Sequence, residues 1–370
     1  MMSNSTKLKT IWIKLSGHSY PIHVGVGILP QLSEELVRLN WKGKIGIITD
    51  TNVANYYLNI CEELVKKVCP QGYVIHILPA GEEYKTIQQI EDMCTTMLQG
   101  GLDRSSGIIA LGGGVVGDIA GYFSASYMRG IPFIQVPTTI VSQVDASIGG
   151  KTGVNHPLGK NILGAFYQPH SVVIDLNLLK TLPEQIYREG FAEIIKHGVI
   201  ADKELFDYCQ NNAEQLIQKD LDCLLYPIVR SCEIKADIVM KDEKEQNIRA
   251  YLNYGHTFGH AFEAVTHYKI FLHGEAVSLG MVTASEVGVL LGYVPEDVPL
   301  QHRKVLKKYR LPIRWDDLPI DDVMESMKRD KKTKAGKLRF IIPRRIGEVS
   351  IESDVPEDII RCALKRIKTD

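Results

Sequence analysis

Short apolar and β-branched runs alternate with segments of helical periodicity through the first half of the chain, and this alternation restricts the fold more than any other feature. Strand candidates fall at 10–14, 22–26, 44–49, 73–78, 107–111, 133–136 and 171–174; apolar residues at helical spacing fill 28–39, 53–68 and 87–98. Strands separated by helices need crossovers, so the pattern predicts an α/β, Rossmann-like N-terminal domain with a mostly parallel sheet. After about residue 180 the pattern changes. Long periodic segments at 183–200, 221–240, 257–265, 275–291, 322–328 and 357–368 predict a mainly α-helical C-terminal domain, interrupted by a short β pair at 338–342 and 348–351. The expected domains are 1–180 and 181–370. With no repeat and no low-complexity linker, an extensive interface and an active site in the cleft between them are the default expectation.

A chain of 370 residues, 45% hydrophobic, can bury two such cores. Its 43 basic and 44 acidic residues are interspersed, which gives no electrostatic footprint for nucleic acid or an anionic membrane. No apolar stretch is long enough for a bilayer, and the polar start, Met1 to Lys9, lacks a signal-peptide core, so a cytoplasmic protein is expected. Seven cysteines, an odd number without a C-x-x-C pair, argue against a disulfide framework or a cysteine-built zinc site. They read as reduced packing residues.

Four of the eleven histidines lie between His256 and His273, and neutral imidazole is the commonest protein ligand for a divalent transition metal. His256 and His260, four apart, share one helical face beside Phe258 and Ala261. Locally they read as a ligand pair, with His273 as a third member; two core histidines satisfied by hydrogen bonds are the alternative. Glu193 and Lys196 interrupt an apolar run three residues apart. Buried, such a pair needs a purpose; exposed, it is an ordinary helical ion pair.

Residues 107–111 run into Gly112-Gly113-Gly114-Val115-Val116-Gly117-Asp118, a strand entering a glycine-rich turn and a helix. Such a turn lets backbone approach a pyrophosphate at a helix N-terminus. The G-x-G-x-x-G match lacks the acidic residue about twenty positions on that usually takes a ribose hydroxyl, so a packing turn stays open. Asp50, Thr51 and Asn52 follow one strand, and Gly81 to Thr86, with Glu82 and Lys85, follow another, where parallel sheets bind ligands. Asp50 as a plain helix cap and Lys85 as an exposed loop charge are the alternatives. Arg129-Gly130, Thr138-Thr139, Asp145 to Thr152 and Gly159-Lys160-Asn161 set glycines among cations and hydroxyls. That composition suits a small phosphorylated ligand, though not as a Walker motif, and equally a glycine-rich surface loop.

Taken in order, these segments resemble the 3-dehydroquinate synthase family of sugar phosphate cyclases. Gly81-Glu82-x-x-Lys85, Gly112-Gly113-Gly114-Val115-x-Gly117-Asp118, Arg129-Gly130, Val136-Pro137-Thr138-Thr139, Val144-Asp145-x-Ser147-Ile148-Gly149-Gly150-Lys151-Thr152, Gly159-Lys160-Asn161, Ala192-Glu193-x-Ile195-Lys196, Leu252-Asn253-Tyr254-Gly255-His256-Thr257-x-Gly259-His260 and His273-Gly274-Glu275 carry the match. The resemblance implies a phosphate-eliminating carbon–oxygen lyase of the shikimate pathway to aromatic amino acids. It would convert 3-deoxy-D-arabino-heptulosonate 7-phosphate to 3-dehydroquinate and phosphate with bound NAD and one divalent metal, zinc or cobalt. By the same resemblance the metal ligands are Glu193, His256 and His273, which displaces His260 to a nearby polar group. NAD would be held by Asp50, Asn52, Glu82, Lys85, Gly113, Gly114, Asp118, Thr138 and Thr139, with Lys151 and Lys160 beside it. Arg129, Lys151, Asn161, Lys196, Lys235, Arg249, Asn253 and one of Lys331 or Lys332 match substrate-binding positions. Asp145 and Glu245 match polar ones, and Lys151, Lys196, His260, Asp145 and Glu245 are the catalytic candidates. A homodimer acting on a small phosphorylated keto-acid sugar is the expected assembly.

Two rival enzymes share these features: a cyclase of the 2-deoxy-scyllo-inosose or epi-valiolone type, and a metal-dependent polyol dehydrogenase. The first type of substrate lacks the carboxylate that the 145–151 stretch and Arg249 suit; the second needs no dense set of phosphate-binding lysines. A non-catalytic nucleotide or metal sensor would require the fold alone.

Overall fold

The computed structural model describes residues 8–333 and 338–368, with the side chains of 329–333 outside that description. The chain forms two compact units. One runs to Leu182 and takes in Lys235–Met240; the other comprises Pro183–Ile234 and the chain from Lys241 onward.

The first unit is built on a seven-stranded sheet. Its strands are β1 (Lys9–Leu15), β2 (His18–Gly25), β3 (Ile45–Asp50), β4 (Tyr73–Leu78), β5 (Gly107–Gly112), β6 (Phe133–Pro137) and, after a separate hairpin of β7 (Lys151–His156) and β8 (Gly159–Phe166), β9 (Ser171–Asp175). The order is β1-β2-β9-β6-β5-β3-β4. All neighbours are parallel except β1 with β2, an antiparallel edge pair. Both faces are covered, and the strand period of two divides the core accordingly. Ile45, Ile47, Ile109, Leu111, Ile134 and Val136 face one cluster, with Leu32, Leu36, Cys61 and Val65 of the covering helices. Ile48, Ile108, Ala110 and Phe133 face the other, with Ile90, Met93, Ile119 and Phe123.

From β3 the chain steps outward to β4, then returns across β3 to β5. The carboxyl ends of β3 and β5 therefore flank the point where strand order reverses, the place where open α/β sheets leave a crevice for ligands. Thr49-Asp50 and Gly112-Gly113-Gly114 stand at those two ends.

The second unit is helical, with β10 (Arg339–Arg345) and β11 (Glu348–Ser353) as a two-stranded antiparallel sheet. Its centre is the helix His273–Leu290, buried on nearly every side, with an apolar character that does not alternate. The segment expected as one helix over 183–200 is two, Glu184–Glu189 and Phe191–Ala201, broken at Gly190. Helices Lys203–Asn211 and Asp297–Lys308 were not expected from the periodicity. No helix among the described residues is long and apolar enough to cross a membrane. All seven cysteines are unbonded thiols.

Candidate metal centre and nucleotide site

In the helical unit, glycines decide where the histidines stand. Gly255, at φ +79 just before the helix His256–Val265, takes a left-handed conformation that few other residues tolerate. A Cβ on Gly280 would lie 2.0 Å from the Gly255 carbonyl oxygen, and one on Gly274 would lie 2.1 Å from that of Glu189. The two glycines let the helix His273–Leu290 lie directly against the segment that delivers His256 and against the one that precedes Glu193. Glu189 also accepts the Gly274 N–H at 2.8 Å, and Glu275 accepts the Leu272 N–H at 2.9 Å, so two carboxylates complete the start of the helix that carries His273. Burial pushes the Glu189 carboxyl up, against the pull of that N–H and of His273.

Glu193, His256 and His273 converge, with one ligand atom of each within 4.8 Å of the others. Glu193 is fully buried, and its oxygens differ. Oε2 accepts a short hydrogen bond from the ammonium of Lys196, itself 1% exposed, so the pair is not the exposed helical ion pair that spacing also allowed. Oε1 has no hydrogen-bond partner among the described residues and faces Nε2 of His256 at 3.6 Å and Nε2 of His273 at 3.8 Å. An orphaned buried carboxylate oxygen is costly unless a cation compensates it. Ligands at 2.0–2.1 Å around a tetrahedral metal would be about 3.4 Å apart. A small contraction of the observed spacing meets that requirement.

The second nitrogen of each histidine is committed elsewhere. His256 Nδ1 donates to the Tyr254 carbonyl oxygen at 3.1 Å, which leaves Nε2 as the lone-pair donor. His273 Nδ1 lies 3.4 Å from Oε1 of the buried Glu263. Burial, aided by the Lys196 charge, holds His256 well below the usual imidazole range and keeps it neutral, as a ligand must be. For His273 burial acts downward too, but the carboxylates of Glu263, Glu193 and Glu189 outweigh it and raise the ring to about 9.

His260 is exposed, one turn beyond His256, with ring centroids 5.4 Å apart. It groups with Glu263 and His273 rather than with the Glu193 set. Arg249 is 2% exposed and anchored through its backbone N–H to Asp242 at 3.0 Å and through its guanidinium to the Glu243 carbonyl oxygen. Asn253 donates to Glu245 at 2.6 Å, and Glu245 sits at φ 57. Lys331 and Lys332 belong by backbone to the helix Ile320–Thr333; their side chains lie outside the described residues.

In the α/β unit, Lys235 donates to Asp145, at 2.6 Å to Oδ1 and 2.5 Å to the backbone oxygen. Arg129 is exposed in a turn where Met128 and Arg129 both have positive φ. Asp50 does cap a helix, accepting from Asn52 N–H and Val53 N–H at 2.8 and 2.9 Å. Lys85 is no exposed loop charge: it is 3% exposed and donates to Asp118 at 2.5 Å and Asn161 at 2.6 Å. Burial pushes the Asp118 carboxyl up, and Lys85 opposes it. The stretch read as a phosphorylated-ligand segment or a glycine-rich surface loop is the β7–β8 hairpin, with Lys160 in β8 just past the turn at 157–158. Lys151, Asp118 and Asn161, with Ile162 and Phe166, line a cavity of about 280 Å³.

The glycine-rich turn separates into two kinds of glycine. Cβ atoms at Gly112 and Gly117 would collide internally, with Val116 at 2.5 Å and Gln135 at 2.8 Å. At Gly113 and Gly114 they would meet only Thr139 at 3.3 Å and Ala146 at 3.4 Å, and neither glycine has a positive φ. A side chain there would need its neighbour to give by only a few tenths of an ångström, far less than at Gly112 or Gly117, which suits a cradle kept open for a ligand's backbone contact. Thr138 Oγ1 beside them is buried without a hydrogen-bond partner among the described residues.

Comparison with known proteins decides the family. Residues 75–189 match the family described as 3-dehydroquinate synthase N-terminal, and 190–333 the one described as 3-dehydroquinate synthase C-terminal. A 3-dehydroquinate synthase from Shewanella halifaxensis is 46% identical over 360 residues, 96% of this chain and 99% of that protein. The chain belongs to the 3-dehydroquinate synthase family. Among solved structures, 2-epi-5-epi-valiolone synthase from Streptomyces hygroscopicus subsp. jinggangensis, with NAD+ and Zn2+ bound, is similar at a TM-score of 0.87 and 26% identity, over 96% of this chain and 98% of that one. A 2-deoxy-scyllo-inosose synthase complexed with carbaglucose-6-phosphate, NAD+ and Co2+ shares the fold, at a TM-score of 0.86 and 24% identity over 97% and 99%. Three polar groups of this 3-dehydroquinate synthase relative escaped the sequence reading: Glu263, Glu189 and Asn155. Glu263 was within reach, since 256, 260 and 263 form one stripe at helical spacing.

Proposed function

We infer that this chain is a 3-dehydroquinate synthase, a phosphate-eliminating carbon–oxygen lyase converting 3-deoxy-D-arabino-heptulosonate 7-phosphate to 3-dehydroquinate and phosphate. Family membership held across both units carries the reading. The metal-sized convergence at Glu193 Oε1 and the open cradle at Gly113-Gly114 support it.

Glu193, His256 and His273 would hold one divalent metal, zinc or cobalt. Asp50, Asn52, Glu82, Lys85, Gly113, Gly114, Asp118, Thr138, Thr139, Lys151 and Lys160 would hold NAD. Bound there, NAD supplies reversible hydride transfer and the metal supplies Lewis acidity toward substrate oxygens. The chain's own side chains do the rest. Lys196 neutralises one oxygen of Glu193, leaving the other for the metal. Arg249 is held at its backbone N–H by the Asp242 carboxylate and at its guanidinium by the Glu243 carbonyl oxygen, so its charge is preorganised for an anionic substrate group. Lys235, set against Asp145, and Lys151 and Asn161 on the hairpin add cations and donors for carboxylate or phosphate. His260, exposed beside the metal ligands, is placed for proton transfer with solvent. Arg129, Asn253, Glu245 and one of Lys331 or Lys332 complete the proposed set. The same reading carries a homodimer, a cytoplasmic location and a place in aromatic amino acid biosynthesis.

The test is a substrate panel. Purified chain with NAD and cobalt or zinc should release phosphate from the heptulosonate phosphate and form 3-dehydroquinate, and should do so poorly from glucose 6-phosphate or sedoheptulose 7-phosphate. Preference for either of the last two would assign the chain to another cyclase type.

A further inference from the structure

The loop after β4 and the β7–β8 hairpin are joined by one side chain with no role so far, Asn155. Its backbone N–H donates to the Lys85 carbonyl oxygen at 2.7 Å, and Asn155 bridges Thr86 in parallel β fashion. Its Nδ2 donates to Glu82 Oε1 at 2.8 Å, while its Oδ1 accepts the Asn161 N–H at 2.9 Å. Lys85 Nζ then closes a ring by donating to Asn161 Oδ1 at 2.6 Å. Asn161 sits at φ 55, a left-handed backbone that asparagine tolerates better than most residues.

The chemistry of the ring restricts what can occupy position 155. A carboxylate only accepts and a backbone N–H only donates, so the residue between them must present one donor and one acceptor at fixed spacing. A carboxamide does this, and the two partners fix which way round it lies. Aspartate would set a second carboxylate against Glu82; alanine would leave both partners unmatched.

We propose that Asn155 is a positioning residue that locks the nucleotide loop to the β7–β8 hairpin, setting Glu82, Lys85 and Asn161 in one geometry. This rests on the assignment of Glu82 and Lys85 to NAD and of Asn161 to substrate. NAD binding to the full-length protein, followed by calorimetry without substrate, tests it with N155A, N155D, E82Q, N155D/E82Q and K85A. Losing the two side-chain hydrogen bonds should weaken NAD about tenfold in N155A, raise the substrate KM, and leave bound metal unchanged. N155D should bind NAD more weakly still. In N155D/E82Q the introduced amide donates to the introduced carboxylate, so the double variant should bind NAD more tightly than the product of the single losses. Loss of stability alone would not produce that rescue. NAD affinity in N155A within twofold of wild type, with K85A impaired, overturns the inference, as does an additive cycle. Should N155A fail to fold, the cycle of N155D and E82Q decides. K85A with unaltered NAD affinity would instead overturn the nucleotide assignment, and this inference with it.

Discussion

Glu193 shows how much can depend on which oxygen a partner takes. With Oε2 committed to Lys196, only Oε1 remains to face the imidazoles of His256 and His273. Glu193→Gln should therefore lose tight metal binding, measured as bound zinc after dialysis against a weak chelator, and His256→Ala should do the same. His260→Ala should keep metal at full stoichiometry and lose turnover instead. An i, i+4 histidine pair reads locally as a ligand pair, but the structure groups His256 with Glu193 and His273, and His260 with Glu263 and His273. His273 entered the local reading as a third member, and the resemblance put it in place of His260. Arg249→Ala is the companion prediction for substrate. Removing one partner of a buried charged contact costs about 2–5 kcal/mol, so KM for the heptulosonate phosphate should rise tens-fold or more. An unchanged KM would remove Arg249 from the site.

Among elements, the crossing of His256–Val265 with His273–Leu290 sets the spacing of His256 and His273, and with it the candidate metal centre. With Gly280 meeting the Gly255 carbonyl oxygen, Gly280→Ala must push the helices apart. Overpacking of this kind typically costs about 1–3 kcal/mol, and metal affinity should fall with the thermal midpoint; a variant with wild-type metal affinity would show the crossing to be unimportant. Most strands were legible because β3, β5, β6 and β9 are buried on both faces and read as continuous apolar runs. The β7–β8 hairpin was not. Its strands form a two-stranded sheet of their own, tied outside it by the single Asn155–Thr86 bridge, carry Gly153, Gly159 and Gly164, and are largely exposed along β8, so neither a run nor a clean alternation marks them. The break at Gly190 was equally hidden, since periodicity runs on across it.

At the scale of the whole molecule, acid stability has a named contributor. Glu35 is buried beside His23 at 3.2 Å and Arg38 at 2.6 Å. Burial raises its carboxyl, but hydrogen bonds from His23 and Arg38 outweigh this and hold it at about 2. A depressed folded pKa contributes stability that is complete above the unfolded value, near 4.5, and is lost as pH falls toward 2. Glu35→Gln should thus be less stable at neutral pH by about 1–3 kcal/mol, with a shallower fall below pH 4.5 in denaturant titrations; a parallel fall in both proteins would refute this.

Catalysis by the chain shows itself when its products and its nicotinamide are followed in one reaction. Protein, cobalt or zinc, and NAD below the substrate concentration are mixed with 3-deoxy-D-arabino-heptulosonate 7-phosphate, and phosphate, 3-dehydroquinate and nicotinamide absorbance are followed together. A synthase recycles its NAD, so phosphate and 3-dehydroquinate should appear one-for-one through many turnovers with almost no lasting reduced nicotinamide. Reduced nicotinamide accumulating one-for-one with substrate consumed, without phosphate, would make the chain a dehydrogenase and contradict the account.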